Sequence, residues 1–192
     1  MRKRKLAGAV KEEAKEYKQL LDIKHERTCR CKSSHLNCLT PKEWLKSQLG
    51  VWQFSFESRD IRKKDVHPAT FPISLSKKII ELFTHEGELV LDPFVGSGTT
   101  LVAANDLNRN AVGFDLKPEY VDICEKRLRQ QTNLFNKSEQ LVVQDDARNI
   151  RKYLLPETVN SIIAERKKAY PGLHKLGTDL AAGLSATGML EV

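Results

Sequence analysis

The chain has no long hydrophobic run. Nowhere in its 192 residues do the ~18 consecutive apolar positions of a membrane-crossing helix occur. This excludes a helical membrane protein, and no membrane partner is expected. The apolar core of a secretory leader is missing too. Met1-Arg2-Lys3-Arg4-Lys5 is basic, as a leader begins, but Lys11, Glu12 and Glu13 arrive too soon. A cytoplasmic location is the expectation. In that reducing compartment Cys29, Cys31, Cys38 and Cys124 are not expected to pair as disulfides. The usual zinc spacing, two cysteines separated by two to four residues, is also absent. One residue separates Cys29 from Cys31, and Cys38 follows six residues further on. His25 and His35 stand nearby, so the stretch reads either as a zinc site or as a polar loop with free thiols; the expectation is free thiols and no metal. No internal repeat is present.

With 40% hydrophobic and 30% charged residues, the chain holds enough apolar material for one core, hence one main domain. A net charge of +7 fits a polyanionic partner such as DNA or RNA. Apolar residues at helical spacing (Ala7, Val10, Ala14, Tyr17, Leu20, Leu21) predict a helix over about 2–27, either a basic arm on phosphates or a solvated amphipathic helix packed on its own domain. Residues 28–40 read as a loop. Thr40-Pro41-Lys42-Glu43 is a helix start with a capping box, and Gly50 ends that helix after Leu49. Val51–Phe56 alternates aromatic and other residues and reads as strand-like or extended.

From residue 73 onward strands and helices alternate. Helices are predicted at about 73–84, 99–107 and 118–129, and strands at 89–91, 111–114, 141–143 and 159–163. This alternation predicts an α/β fold: an open, mainly parallel twisted sheet with flanking helices. Residues 164–192 do not continue the pattern.

In such a sheet, ligands bind beyond the carboxyl ends of the strands. Three predicted strands end in an acid, Asp92, Asp115 and Asp146, so the three should face one crevice. The turn after Asp92 contains Gly96-Ser97-Gly98, which lets backbone approach a ligand closely. Asp115 lies ~23 residues beyond Asp92, near the offset at which an acid reads ribose hydroxyls. The ligand is therefore a nucleoside-containing cofactor, and this arrangement alone leaves NAD and S-adenosylmethionine both open. A dinucleotide loop needs a third glycine where Leu101 stands, and a phosphate loop needs a lysine where Thr99-Thr100 stand. Asp92 at the mouth disfavours a pyrophosphate and suits a cationic amino group, such as the methionine part of S-adenosylmethionine carries.

Asp92-Pro93-Phe94-Val95-Gly96-Ser97-Gly98-Thr99-Thr100 resembles the cofactor loop of the DNA methyltransferases that modify exocyclic amino groups to N4-methylcytosine or N6-methyladenine. His67-Pro68-Ala69-Thr70-Phe71-Pro72 resembles the segment that precedes this loop and closes over the cofactor. Gly113-Phe114-Asp115 with Pro118-Glu119-Tyr120 resembles the ribose-binding strand end and its helix. The resemblance spans about residues 40–163. It implies a Rossmann-like S-adenosylmethionine-dependent methyltransferase fold, incomplete at its C-terminal side, and site-specific DNA methylation in a restriction-modification setting. Phe94, Gly96 and Gly98 would shape the methionine pocket, with Pro93, Ser97 and Thr99 completing the loop. Asp92 would meet the amino group, Asp115 the ribose and Asp146 the adenine amino group, with Asp145 the competing candidate, while Phe71 and Pro72 would close the pocket. The domain plan is a basic helix and Cys-containing loop (1–39), a partial cofactor domain (40–163) and a divergent tail (164–192).

The family's Ser/Asp-Pro-Pro-Tyr/Phe turn, which holds the target amino group and stacks the flipped base, does not occur in the sequence. After Ile162-Ile163 comes Ala164-Glu165-Arg166-Lys167. The catalytic residues are therefore unassigned. Two classes remain: the cofactor-binding part of an enzyme, including one half of a split enzyme completed by a second chain, or a catalytically inactive S-adenosylmethionine-binding remnant. Either way the net charge and the basic segment 1–5 predict weak, sequence-independent DNA binding by this chain, with an affinity that falls steeply with salt as counterions are released. Fluorescence anisotropy on mixed-sequence duplexes across a salt series checks this; a salt-independent or strongly site-specific interaction would reveal a recognition element within these residues.

Overall fold

The computed structural model describes residues 21–48, 51–61, 71–131, 137–164 and 189–191. The expected helix over 2–27 falls largely outside this range. Its described end, residues 21–27, is not helical. Ile23 is instead buried against the sheet, and burial of that side chain overrides the weak helical preference of the segment.

Helix α1 (Pro41–Gln48) begins with the predicted capping box. The Thr40 N–H donates to Glu43 Oε2 at 2.9 Å, and the Glu43 N–H donates to Thr40 Oγ1 at 3.3 Å. The 51–56 stretch is extended without strand pairing. Trp52 packs on the core and meets Phe54 edge-to-face, with centroids 6.2 Å apart. Helix α2 (Ile73–Phe83) is capped from a distance: the Ile73 N–H donates to Oδ1 of buried Asp60 at 2.9 Å.

The remaining elements are β1 (Leu89–Asp92), α3 (Thr99–Asp106), β2 (Asn110–Asp115), α4 (Pro118–Arg129), β3 (Gln140–Gln144), two short 3-10 turns (Ala147–Lys152 and Pro156–Thr158), β4 (Ser161–Ala164) and β5 (Met189–Glu191). The sheet order is β3-β2-β1-β4-β5 and every pairing is parallel. From β1 the chain winds one way to β2 and β3, then returns to β4 on the other side. The topological switch point lies between β1 and β4. β4 starts two residues later than predicted because Asn160 closes its own pair with Leu89. The Asn160 N–H donates to the Leu89 carbonyl, and Asn160 Oδ1 accepts from the Leu89 N–H, each at 2.9 Å. The fifth strand was not foreseen. Met189, Leu190 and Glu191 align with Ile162, Ile163 and Ala164, and three residues are too few to carry a readable period.

The central strands are buried on both faces, as parallel strands require. On one face Val90 and Ala111 meet Ile73, Ile79 and Ile80 of α2, Leu101 and Val102 of α3 and Cys124 of α4. On the other, Leu89, Leu91, Val112 and Phe114 meet Ile23 and the Ile150, Leu154 and Val159 side chains of the chain between β3 and β4. No helix of the described residues is long and apolar enough to cross a membrane.

The far end of α3 is clamped by charge. Asp106 Oδ2 lies 2.7 Å from Arg59 Nη2 and 2.7 Å from Lys77 Nζ. Burial alone would raise the Asp106 carboxyl, but the hydrogen bonds and charges of Arg59 and Lys77 outweigh it and hold it below the ordinary carboxylate range. A carboxyl depressed in the folded state contributes stability above its unfolded pKa and loses it as pH falls through the folded value. Asp106→Asn should therefore cost about 1 kcal/mol at neutral pH, kept small because Arg59 stands partly in water. The gap between variant and wild type should narrow as pH falls below the ordinary carboxylate range and Asp106 takes up its proton. Urea denaturation of both proteins across that pH range checks it.

Candidate cofactor site

β1, β2 and β3 run side by side in one direction, so their carboxyl ends share one edge of the sheet. Register aligns Asp92 with Gly113 and Asp115 with Gln144, the residue just before Asp145-Asp146. Asp92 and Asp115 therefore end two adjacent strands, and Asp146 follows two residues beyond the end of the third, in that order counted outward from β1.

The loop after β1 is built by its own residues. The Phe94 N–H donates to Asp92 Oδ1 at 3.0 Å, the Val95 N–H donates to the Phe114 carbonyl at 2.9 Å, and the Gly98 N–H closes a turn onto the Val95 carbonyl at 2.8 Å. Asp115 clasps this loop from β2. Its Oδ2 accepts from the Gly96 N–H at 3.1 Å and its Oδ1 from the Lys117 N–H at 2.9 Å. Asp92, Pro93, Ser97 and Thr99 are buried, while Phe94 is half-buried and packs toward the Phe114 face. Gly98 begins α3 with φ +83°, and a Cβ there would collide with Cys124 Sγ of α4. Burial pushes the Cys124 thiol up to about 12, so it stays protonated and acts as packing.

Arg127 is a participant the sequence reading missed. From α4 it donates to the Ser97 carbonyl at 2.6 Å and to the Arg59 carbonyl at 3.2 Å. It thereby ties the loop to the segment before α2. Nothing in a helix-facing arginine among Glu125, Lys126 and Arg129 marks it out in sequence. Phe71 and Pro72 sit half-buried directly before α2, anchored through Asp60; His67–Thr70 of the same predicted motif lie outside the described residues, as does Glu165.

The two acids after β3 have different partners. Asp145 accepts from the Asp146 N–H, from Asn149 Nδ2 at 2.8 Å and from the Tyr153 hydroxyl at 2.7 Å, and these bonds hold its carboxyl below the usual range. Asp146 caps the following 3-10 turn by accepting from the Arg148 N–H at 2.9 Å. It also pairs with the exposed Arg148 guanidinium at 2.6 Å, which holds its carboxyl low as well. Asp145 is thus committed to internal bonds. Asp146 holds an exposed arginine that can swing into solvent.

The sequence profile of the DNA methylase family matches residues 3–126. The chain belongs to this DNA methylase family. Among curated proteins it is 34% identical over 134 residues to the type II methyltransferase M.BglI of Bacillus subtilis, covering 69% of this chain and 34% of that one. It is 44% identical over 70 residues to M.HindIII of Haemophilus influenzae, covering 36% and 23% respectively. The chain thus spans about a third or less of the length of these methylases. Among solved structures, an RNA methyltransferase from Salinibacter ruber in complex with S-adenosyl-L-homocysteine aligns with a TM-score of 0.47 at 18% identity, covering 60% of this chain and 71% of that one. The profile match runs through Asp92, the glycine loop, Asp115 and Cys124, and ends before Asp146.

The methylase loop therefore rests on two constraints at Gly98, a left-handed backbone and contact with Cys124. Gly98→Ala should destabilise by roughly 1–2 kcal/mol from the backbone alone and by roughly 1–3 kcal/mol more from the clash. Adding Cys124→Ala should return the second part only. Chemical denaturation of the single and double variants checks this; full recovery in the double variant would show that φ at Gly98 carries no cost.

Proposed function

We propose that this chain is the S-adenosylmethionine-binding part of a DNA methyltransferase acting on an exocyclic amino group of cytosine or adenine. The observation that carries the reading is the clasp between the glycine loop and Asp115. One carboxylate fixes the loop through the Gly96 N–H and still has lone pairs to offer a pair of ribose hydroxyls. Order along the sheet edge supports it further. With strands ~4.8 Å apart, three neighbouring acids span about 10 Å. Asp92, Asp115 and Asp146 then match, in sequence, the amino group, ribose and adenine of an extended S-adenosylmethionine.

Asp92 would neutralise the methionine ammonium, and the backbone of Gly96–Gly98 would border the methionine chain. Asp146 would accept from the adenine amino group once Arg148 swings aside. Leu116, exposed beside Asp115, offers an apolar surface to the adenine ring; it is a candidate that sequence reasoning passed over. Phe71 and Pro72 would cover the cofactor. S-adenosylmethionine supplies an electrophilic methyl group when bound. This chain's contribution is to hold that group in line for a nucleophilic nitrogen, work of positioning rather than of metal chemistry. DNA as the partner fits the net charge of +7 and the names of the type II relatives. The Pro-Pro-Tyr-type turn does not occur in the sequence, so the groups that would grip the base are left unassigned.

Isothermal calorimetry tests the reading. S-adenosylmethionine should bind and NAD should not. Asp115→Ala should weaken S-adenosylmethionine by about 1.5–3 kcal/mol, roughly 10- to 150-fold, through loss of charge-assisted hydrogen bonds. Preferential NAD binding, or an unchanged affinity in Asp115→Ala, would overturn it.

A further inference from the structure

The cysteine-rich loop, whose spacing predicts a polar turn with free thiols, brings those thiols together in space. Three of its thiols converge on one imidazole from far along the chain. Cys29 Sγ lies 3.5 Å from His85 Nδ1, Cys31 Sγ 3.7 Å and Cys38 Sγ 3.4 Å. The sulfurs themselves are 3.3 Å apart for Cys29 and Cys31 and 3.9 Å apart for Cys31 and Cys38. All four ligand atoms lie within 4.8 Å of one another. A tetrahedral zinc ion with Zn–S near 2.3 Å and Zn–N near 2.0–2.1 Å requires edges of about 3.8 Å between sulfurs and about 3.6 Å between sulfur and nitrogen. The observed edges scatter around those values, and they are far too long for a disulfide bond of ~2.05 Å.

We propose that Cys29, Cys31, Cys38 and His85 form a structural zinc site that staples the 21–40 segment to the base of β1. His25 and His35, the histidines nearest in sequence, are not part of the cluster. His85 enters because it sits in the turn between α2 and β1, 47 residues beyond Cys38.

The surroundings fit a metal with thiolate ligands. Binding replaces three thiol protons, and three thiolates around Zn²⁺ leave a single net negative charge. Arg27 answers it: its Nε donates to Cys29 Sγ and its Nη2 to Cys31 Sγ, both at 2.9 Å. The Glu86 N–H points at Cys38 Sγ from 3.5 Å. N–H donors of this kind orient thiolate ligands and temper their charge. The backbone is bent to deliver Cys38. Leu36 and Leu39 pair across a two-residue turn whose central residues, Asn37 and Cys38, have φ of +51° and +69°. Asparagine tolerates that region, but for cysteine it is an uncommon conformation of the sort that surrounding structure must enforce. The Asn37 side chain, donating to the Leu82 carbonyl, ties this turn to the end of α2. On the opposite side the Thr28 N–H donates to the Glu86 carbonyl at 2.8 Å. The site therefore joins three separate stretches of chain, as closed four-ligand zinc sites do.

The test is metal binding by the full chain, reduced and stripped with chelator. Cobalt should bind at one ion per chain with the intense visible absorption of tetrahedral thiolate coordination. Zinc should displace it, and zinc should raise the midpoint of thermal unfolding. His85→Ala and the pair Cys29→Ser with Cys31→Ser should each weaken zinc by on the order of a hundredfold. Arg27→Gln should weaken it roughly tenfold with the tetrahedral spectrum kept. Cys124→Ser should bind as wild type. Should a ligand variant fail to fold, X-ray absorption on the wild-type zinc form still decides, with three sulfurs and one nitrogen expected. No stoichiometric binding by folded protein with four free thiols, an oxidised Cys29–Cys31 pair in the reduced preparation, or zinc affinity unchanged by His85→Ala would each overturn the proposal.

Discussion

Parallel pairing of β1 on both of its edges is the constraint from which the rest of the structure follows. With β2 on one side and β4 on the other, Leu89–Asp92 has no free edge and no exposed face. Its side chains must be apolar on both faces, and its polar group can emerge only at the end. Asp92 is that end. Because β2 and β3 run the same way, their terminal acids appear beside it, and the crossover helices are forced to begin there. The clasp of Asp115 on Gly96 is possible only because the register of β2 against β1 brings residue 115 past the loop that leaves Asp92. A sheet with one antiparallel strand in this core would scatter the three acids to opposite edges.

This geometry also explains why the loop needs support from below. A glycine-rich turn has little packing of its own, so it is held by neighbours: the Arg127 guanidinium on the Ser97 carbonyl, Cys124 beneath Gly98, and the Phe114 carbonyl on the Val95 N–H. Each comes from β2 or α4, the elements that also carry Asp115. Loop and acid are thus set by one rigid unit and keep their spacing together.

Much of this was readable from the sequence, for reasons that differ by element. Helix α4 matches its predicted limits because Pro118 starts it and its amphipathic spacing persists over three turns. The capping box at Thr40 and Glu43 is a local device with local residues, and it forms as spaced. The sheet-edge acids follow from topology alone. What escaped was non-local or too brief. Residues 21–27 have a helical pattern but are drawn out by burial of Ile23. β5 is three residues long. Arg127 becomes important only through a loop 30 residues away. The partner of the cysteines, His85, lies in a turn that carries no metal-binding spacing at all.

Cys124 carries a consequence of a different kind. Its sulfur lies under Gly98 with no space between them, and the buried thiol remains protonated. An alkylating or oxidising reagent can reach it only when its cover opens, and the turn that starts α3 is the part of that cover lying directly on the sulfur. The sulfur is therefore a built-in clock: its rate of chemical labelling counts the openings of that cover, and anything that clamps the cover shut slows the clock without touching the sulfur itself.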